Sequence, residues 1–194
     1  NHDSNQEHSS SRWMTSRSTD GGVTWNEHGV AFPDLRANPS ASKPAVLKHP
    51  VDFGHPDTIM NFHWDGLSAG SRTYFYYSTD RGKNWKGPYN NIPLFDFAAM
   101  TGRTSYEVTG RNSLTAYISC IEIDNQSCYR ESSYAIFTND GGMTWKKGPR
   151  ISPGLPPCNK GHYLEYHAMP SAVRVNSTTL VSAFRSGYTP KKKW

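Results

Sequence analysis

The sequence has no run of even ten purely apolar residues, and its mean hydropathy is −0.73. Neither a membrane-spanning helix nor the apolar core of a signal peptide lies within these 194 residues. Cysteine is scarce. Cys120, Cys128 and Cys158 form no CxxC pair, and the eight histidines are not grouped at ligand intervals, so no metal and no cofactor is expected. Charge of one sign accumulates only in Lys191, Lys192 and Lys193; the rest of the +5 balance, 21 Lys and Arg against 16 Asp and Glu, is scattered. A scattered excess reads as solvated surface and excludes a nucleic-acid footprint, while leaving room for a small anionic partner.

The counted hydrophobic set is only 35%, yet aromatics reach 13%, with six Trp and eleven Tyr. Disordered chains are poor in aromatics. The mixture suits strands whose few large side chains supply the core, and sixteen Gly with thirteen Pro punctuate it too often for long helices. An all-β fold is expected.

The most informative feature is a repeat. Ser18-Thr-Asp20-Gly-Gly22-Val-Thr24-Trp25 recurs as Ser78-Thr-Asp80-Arg-Gly82-Lys-Asn84-Trp85 and as Thr138-Asn-Asp140-Gly-Gly142-Met-Thr144-Trp145, with the aspartates 60 residues apart each time. Each copy reads as a hairpin turn. The Asp carboxylate accepts from turn N–H groups, Gly takes the positive φ, and the closing Trp buries its ring against a neighbouring unit. Runs of strand character, Ser71–Tyr77 and Ser132–Phe137, feed two of these turns. A weaker repeat lies between them. Lys43–Leu47, Arg103–Glu107 and Met169–Val173 each open a strand, followed by a loop and the apolar strands Thr58–Phe62, Ser113–Ile118 and Thr179–Phe184. About four strands per unit, repeated radially, make a propeller blade.

The pattern S/T-x-D-x-G-x-T-W resembles the Asp-box, or bacterial neuraminidase repeat, of sialidase-like propellers, and Met169–Arg185 resembles the family segment of inner strand, turn and second strand ending in Arg. The likeness runs from Arg17 to Arg185. It implies a six-bladed β-propeller, of which residues 1–194 hold an arc of about three blades, truncated at both ends. It implies an exo-glycoside hydrolase that removes a terminal sugar, sialic acid or a relative, from a glycan; the alternative is a non-catalytic propeller that binds glycan or protein through its rim. Export to the periplasm or outside the cell is the favoured location.

In that family a Tyr nucleophile is assisted by a Glu, an Asp serves as acid/base, and an arginine triad clamps the substrate carboxylate, since the planar guanidinium matches it bidentately. Asp-boxes lie away from the substrate, so strand openings are the positions to inspect. The repeat aligns Lys43, Arg103 and Met169 there. Arg103 is an anion-binding candidate or a surface Arg; Arg185, after an apolar strand, is a site residue or a snorkelling edge residue. Glu107 reads as a solvated edge acid. Met169 stands where the family commonly has its assisting Glu. Glu165, in His162–His167, is a substitute from the preceding loop or an ordinary acid, and His162 and His167 add polar groups for acid/base work or sugar binding. The candidate set is thus Arg103, Arg185 and Glu165 for catalysis, with His167 and Lys43 for substrate. A hairpin disulfide between Cys120 and Cys128 is an option if the chain is exported, as are sequons at Asn125 and Asn176.

Overall fold

The turn-rich aromatic segments form strands throughout, and no helix occurs among the residues that the computed structural model describes, which are 13–32, 43–123, 129–155 and 163–190. The chain divides into two compact units, Asn1–Lys43 and Pro44–Trp194. The first contains one antiparallel hairpin, β1 (Trp13–Arg17) with β2 (Asn26–Phe32), closed by the turn at Ser18–Trp25.

The second unit contains two sheets. β3 (Ile59–Trp64), β4 (Thr73–Ser78) and β5 (Lys86–Tyr89) form an antiparallel three-stranded sheet. β6 (Ala99–Gly110), β7 (Ser113–Ile123), β8 (Tyr129–Thr138) and β9 (Lys146–Arg150) form an antiparallel meander. β10 (Tyr163–Arg174) and β11 (Leu180–Pro190) extend it to six strands, β10 joining β8 in parallel through Glu165↔Arg130 and Tyr166↔Glu131. The free edge of β8 is therefore shared, its later residues by β9 and its first ones by β10. No sheet closes on itself among the described residues.

Two strand expectations are corrected. Lys43–Leu47 is not a strand: Pro44 has no N–H to give a ladder, and the segment makes one isolated parallel bridge, Ala45↔Tyr89. Asn91 holds its end instead, accepting from Leu47 N at 2.7 Å. Arg103 and Met169 do not open their strands but lie well inside β6 and β10. They do share a setting, since each falls in a register shift, between Gly102 and Tyr106 and between Ala168 and Ser171. Cys120 is a free, fully buried thiol, so the hairpin disulfide is not formed; Cys128, Cys158 and Asn125 lie outside the described residues. Asn176 is exposed and caps the β10–β11 turn, its Oδ1 accepting from Thr178 N at 3.0 Å and Thr179 N at 2.9 Å.

The three repeated turns share one local wiring. In the first, Gly22 N donates to Ser18 Oγ at 2.7 Å, Thr24 N donates to Asp20 at 2.9 Å, and Trp25 Nε1 donates to Gly22 O at 3.0 Å. The second and third repeat the first two of these bonds through Ser78, Asp80 and Asn84 and through Thr138, Asp140 and Thr144. Gly22, Gly82 and Gly142 have φ of 94°, 79° and 89°, conformations costly for other residues. The bonds from Thr24 hold Asp20, and those from Ser78 and Asn84 hold Asp80, well below the usual aspartate range. Burial opposes the shift at Asp140, but the bonds from Thr144 and Thr138 prevail.

Burial separates the copies. Trp145 is 5% exposed and inserts between the two sheets, its ring 5.9 Å from both Phe62 and Phe75, in a core that includes Leu47, Phe53, Leu114 and Ile136. Its turn docks on backbone as well, Gly141 O accepting from Val51 N at 2.9 Å. A Cβ on Gly141 would lie 2.5 Å from Pro50 Cβ. Trp25, expected to bury its ring likewise, is 63% exposed.

Trp145→Ala is expected to lower unfolding free energy by about 3–5 kcal/mol, and Trp25→Ala to change it by less than about 0.5 kcal/mol, in urea titrations. Acid titration gives a second outcome. The three lowered aspartates contribute stability that is fully present above the ordinary value of 3.8 and lost as pH falls through their folded values. Asp80→Asn therefore flattens the acid limb of the stability curve.

Candidate anion-binding site

In a strand, alternate residues share a face. The register places Thr101 of β6 opposite Ser119 of β7 and Ser119 opposite Ser133 of β8, so three buried hydroxyls cross the sheet in a row on the face away from the Trp145 core. Glu131, two residues before Ser133, lies on the same face. Thr101 Oγ1 donates to Glu131 Oε1 at 3.2 Å, and the Ser119 hydroxyl also hydrogen-bonds this carboxyl. The row ties down β10 too. Ser133 Oγ donates to His167 O at 2.6 Å, and Met169 N donates to Ser119 Oγ at 2.8 Å.

Two arginines act on the Glu131 carboxyl through their charge. Arg103, half-buried in the irregular stretch of β6, lies with its guanidinium 4.3 Å from the ring centre of Trp64 in the neighbouring sheet. Arg185, opposite Ala168 on β11 and exposed, lies 5.0 Å from the ring centre of Tyr166. Gly187 makes room for that ring, since a Cβ there would meet Tyr166 Oη at 2.6 Å. Burial pushes the Glu131 carboxyl above the ordinary glutamate value, and the Thr101 bond, the charge of Arg103, the Ser119 bond and the charge of Arg185 offset this only in part. A planar guanidinium matches the two oxygens of a carboxylate, which keeps Arg103 and Arg185 as anion-binding candidates.

The structure thus brings Arg103 and Arg185 to one place and adds Glu131, Trp64 and Tyr166, which the sequence reading did not single out. Their only signal is strand alternation once the register is known. The other candidates lie differently. His167 points to the opposite face from Tyr166, its ring 5.3 Å from Phe184 and its Nδ1 3.3 Å from Pro153 O. Glu165 is placed by its backbone, opposite Arg130; its side chain and all of His162 lie outside the described residues. Lys43 is exposed and belongs to the first unit. Met169 has φ 58° and is 36% exposed, at the shift in β10. Glu107 is not a solvated acid: it pairs with Arg174, accepts from Tyr117 Oη at 3.3 Å, and is held below the ordinary range chiefly by the Arg174 bond. A cavity of about 310 Å³ bounded by Asp52, His55, Thr58 and Tyr77 shares no residue with the arginine cluster.

A family model described as the BNR/Asp-box repeat matches residues 76–86, which contain the middle turn. No curated protein matches the chain. Among solved structures, a crystal structure of a protein of unknown function from Dyadobacter fermentans is similar, with a TM-score of 0.57 and 18% sequence identity over 90% of this chain and 51% of that one. That likeness concerns the fold alone, and the chain spans about half the length of that protein.

Ser119→Ala is expected to cost about 1 kcal/mol in urea unfolding, because the part-buried Met169 N–H loses its acceptor. The raised Glu131 value fixes a second sign. Its protonated form is favoured by folding, so the contribution is fully present below the unfolded value of 4.5 and is lost as pH rises through the folded value. Glu131→Gln removes that decline from the stability profile.

Proposed function

We propose that the chain is part of a sialidase-like β-propeller that hydrolyses a terminal, carboxylated sugar, sialic acid or a relative, from a glycan. The observation that carries the reading is that Arg103 and Arg185, from β6 and β11, both bring their charge to bear on the carboxyl of Glu131. The repeat by itself does not carry it, since BNR repeats occur in sialidases and in other proteins. The 60-residue interval between boxes and the four-stranded meander β6–β9 support the propeller arrangement, with the third box anchoring the β8–β9 hairpin through the buried Trp145.

In this reading the arginines clamp the substrate carboxylate and so fix the sugar ring over the face that holds Tyr166 and Glu131. Orientation of this kind converts binding energy into rate. The rings of Trp64 and Tyr166 behind the guanidinium groups keep those long side chains from wandering. Hydrolysis breaks the bond between the anomeric carbon and the glycosidic oxygen; water supplies the hydroxyl to the sugar and a proton to the departing alcohol. A second reading, recognition of the same sugar without cleavage, is favoured by one residue: Met169, which can neither accept nor donate a proton.

A fluorogenic sialoside tests the first reading. Turnover is expected, with kcat/KM reduced about 30-fold or more in Arg185→Ala and in Arg103→Ala, in line with the 2–5 kcal/mol typical of removing one partner of a desolvated charge contact. No turnover together with retained binding of the free sugar selects the second reading.

A further inference from the structure

We propose that the cavity of about 310 Å³ between the segment 50–58 and the end of β4 binds one uncharged sugar unit. The proposal goes beyond the hydrolase reading and does not rest on it. The two places lie at opposite ends of the β3–β4 sheet. Trp64, which backs Arg103, is the register partner of Thr73, whereas Tyr77 at the cavity pairs with Met60, four residues and about 13 Å further along β4. The volume is at the small end of the range for ligand pockets, which suits a single sugar ring and not an oligosaccharide.

The walls are in place before any ligand arrives. The segment 50–58 is fastened to two successive boxes: Val51 N donates to Gly141 O of the third at 2.9 Å, and Arg81 N of the second donates to Asp57 O at 2.9 Å. Phe53 N donates to Arg111 O at 2.7 Å, and Thr58 N to His55 O at 2.9 Å. Val51 and Phe53 are buried in the Trp145 core, which anchors the segment from below. Tyr77 is held by stacking on Tyr89, with ring centres 5.8 Å apart and planes within 25°. A cavity so fixed loses little freedom when a ligand enters, so more of the contact energy appears as affinity.

The residues around it carry the groups that sugar hydroxyls require. Asp52 Oδ1 accepts from Gly54 N at 3.1 Å and its Oδ2 from Arg111 Nε at 2.9 Å, and each carboxylate oxygen has capacity for a second donor. His55 Nδ1 accepts from Asp57 N at 3.2 Å, so the neutral ring carries its proton on Nε2 and donates there. Thr58 and Thr79 add hydroxyls, while Pro50, Val51 and the Tyr77 ring supply apolar surface for the C–H side of a sugar ring. Charge selects an uncharged ligand. Asp52 is paired with Arg111 and Asp57 with Arg81, so an ionic ligand would compete with a partner already seated, whereas a hydroxyl adds to a pair without breaking it.

The test is calorimetric titration of the protein with methyl β-glucoside, methyl β-galactoside and methyl α-mannoside, with methyl glucuronide as the charged analogue and glycerol as the non-specific control. Saturable binding of at least one of the three glycosides is expected, with Kd of about 1 mM or below and no saturation by glycerol. His55→Ala and Asp52→Asn should each weaken it about tenfold or more, and Arg185→Ala should leave it unchanged. A readout on the wild-type protein needs no variant to fold: the ring resonances of His55 shift on saturation while those of His167 do not. No saturable binding of any of the three, binding that glycerol matches, tighter binding of the glucuronide than of the glucoside, or affinity untouched by both His55→Ala and Asp52→Asn overturns the proposal and leaves the hydrolase reading intact. Binding lost in Arg185→Ala assigns the sugar to the arginines and overturns it as well.

Discussion

The indole of Trp145 is the point at which two separate sheets become one body. Its position is set by bonds that never leave its own turn: the Asp140 carboxylate gathers the backbone and hydroxyl of Thr144, and the indole N–H closes on Gly142 O at 3.1 Å. Those local bonds would form in any copy of the motif, and they do form around Trp25. What differs is what lies beyond the ring. Around Trp145 stand Phe62, Phe75 and the Leu47–Phe53 segment, and the absence of side chains at Gly141 and Gly142 lets the turn approach that segment closely. The motif is thus a rigid plug, and stability comes from the socket.

The other face of the same meander is built on the opposite principle. There the interior is polar, and a row of hydroxyls from Thr101, Ser119 and Ser133 stands where the first face has Leu114, Ala116 and Ile118. Each hydroxyl is satisfied by a carboxyl or a backbone group, which is the condition for keeping polar atoms buried. That satisfied row is what allows a glutamate to sit half-buried next to two arginines. An apolar lining would leave the carboxyl with neither donor nor fixed position.

Much of the architecture was legible in the sequence because its signal is local. The boxes announce their turns through Asp, Gly and Trp at fixed offsets, and the β-branched and aromatic runs before them announce strands. Pro44 misled the strand expectation at Lys43–Leu47 for a reason equally local, the missing N–H. The site is another matter. Arg103 and Arg185 stood out only through repeat alignment and family likeness, and Glu131 stood out not at all, because its partners come from strands whose register no short window records. His167 shows the same limit from the other side: one residue of alternation separates it from Tyr166 and turns it away from the arginines.

The way β10 joins the meander has a further consequence. Only two residue pairs link its backbone to β8, and one of them is Tyr166 with Glu131. Glu131 thus stands on one bank of a seam and Arg185, carried by the β10–β11 hairpin, on the other. Beyond those two pairs the seam is closed by side chains: Ser133 and Ser119 bond β10 backbone, Ala172 N donates to Ser105 Oγ at 3.2 Å, and Arg174 pairs with Glu107. The placement of the β10–β11 hairpin beside the meander is therefore set by side chains more than by a shared ladder.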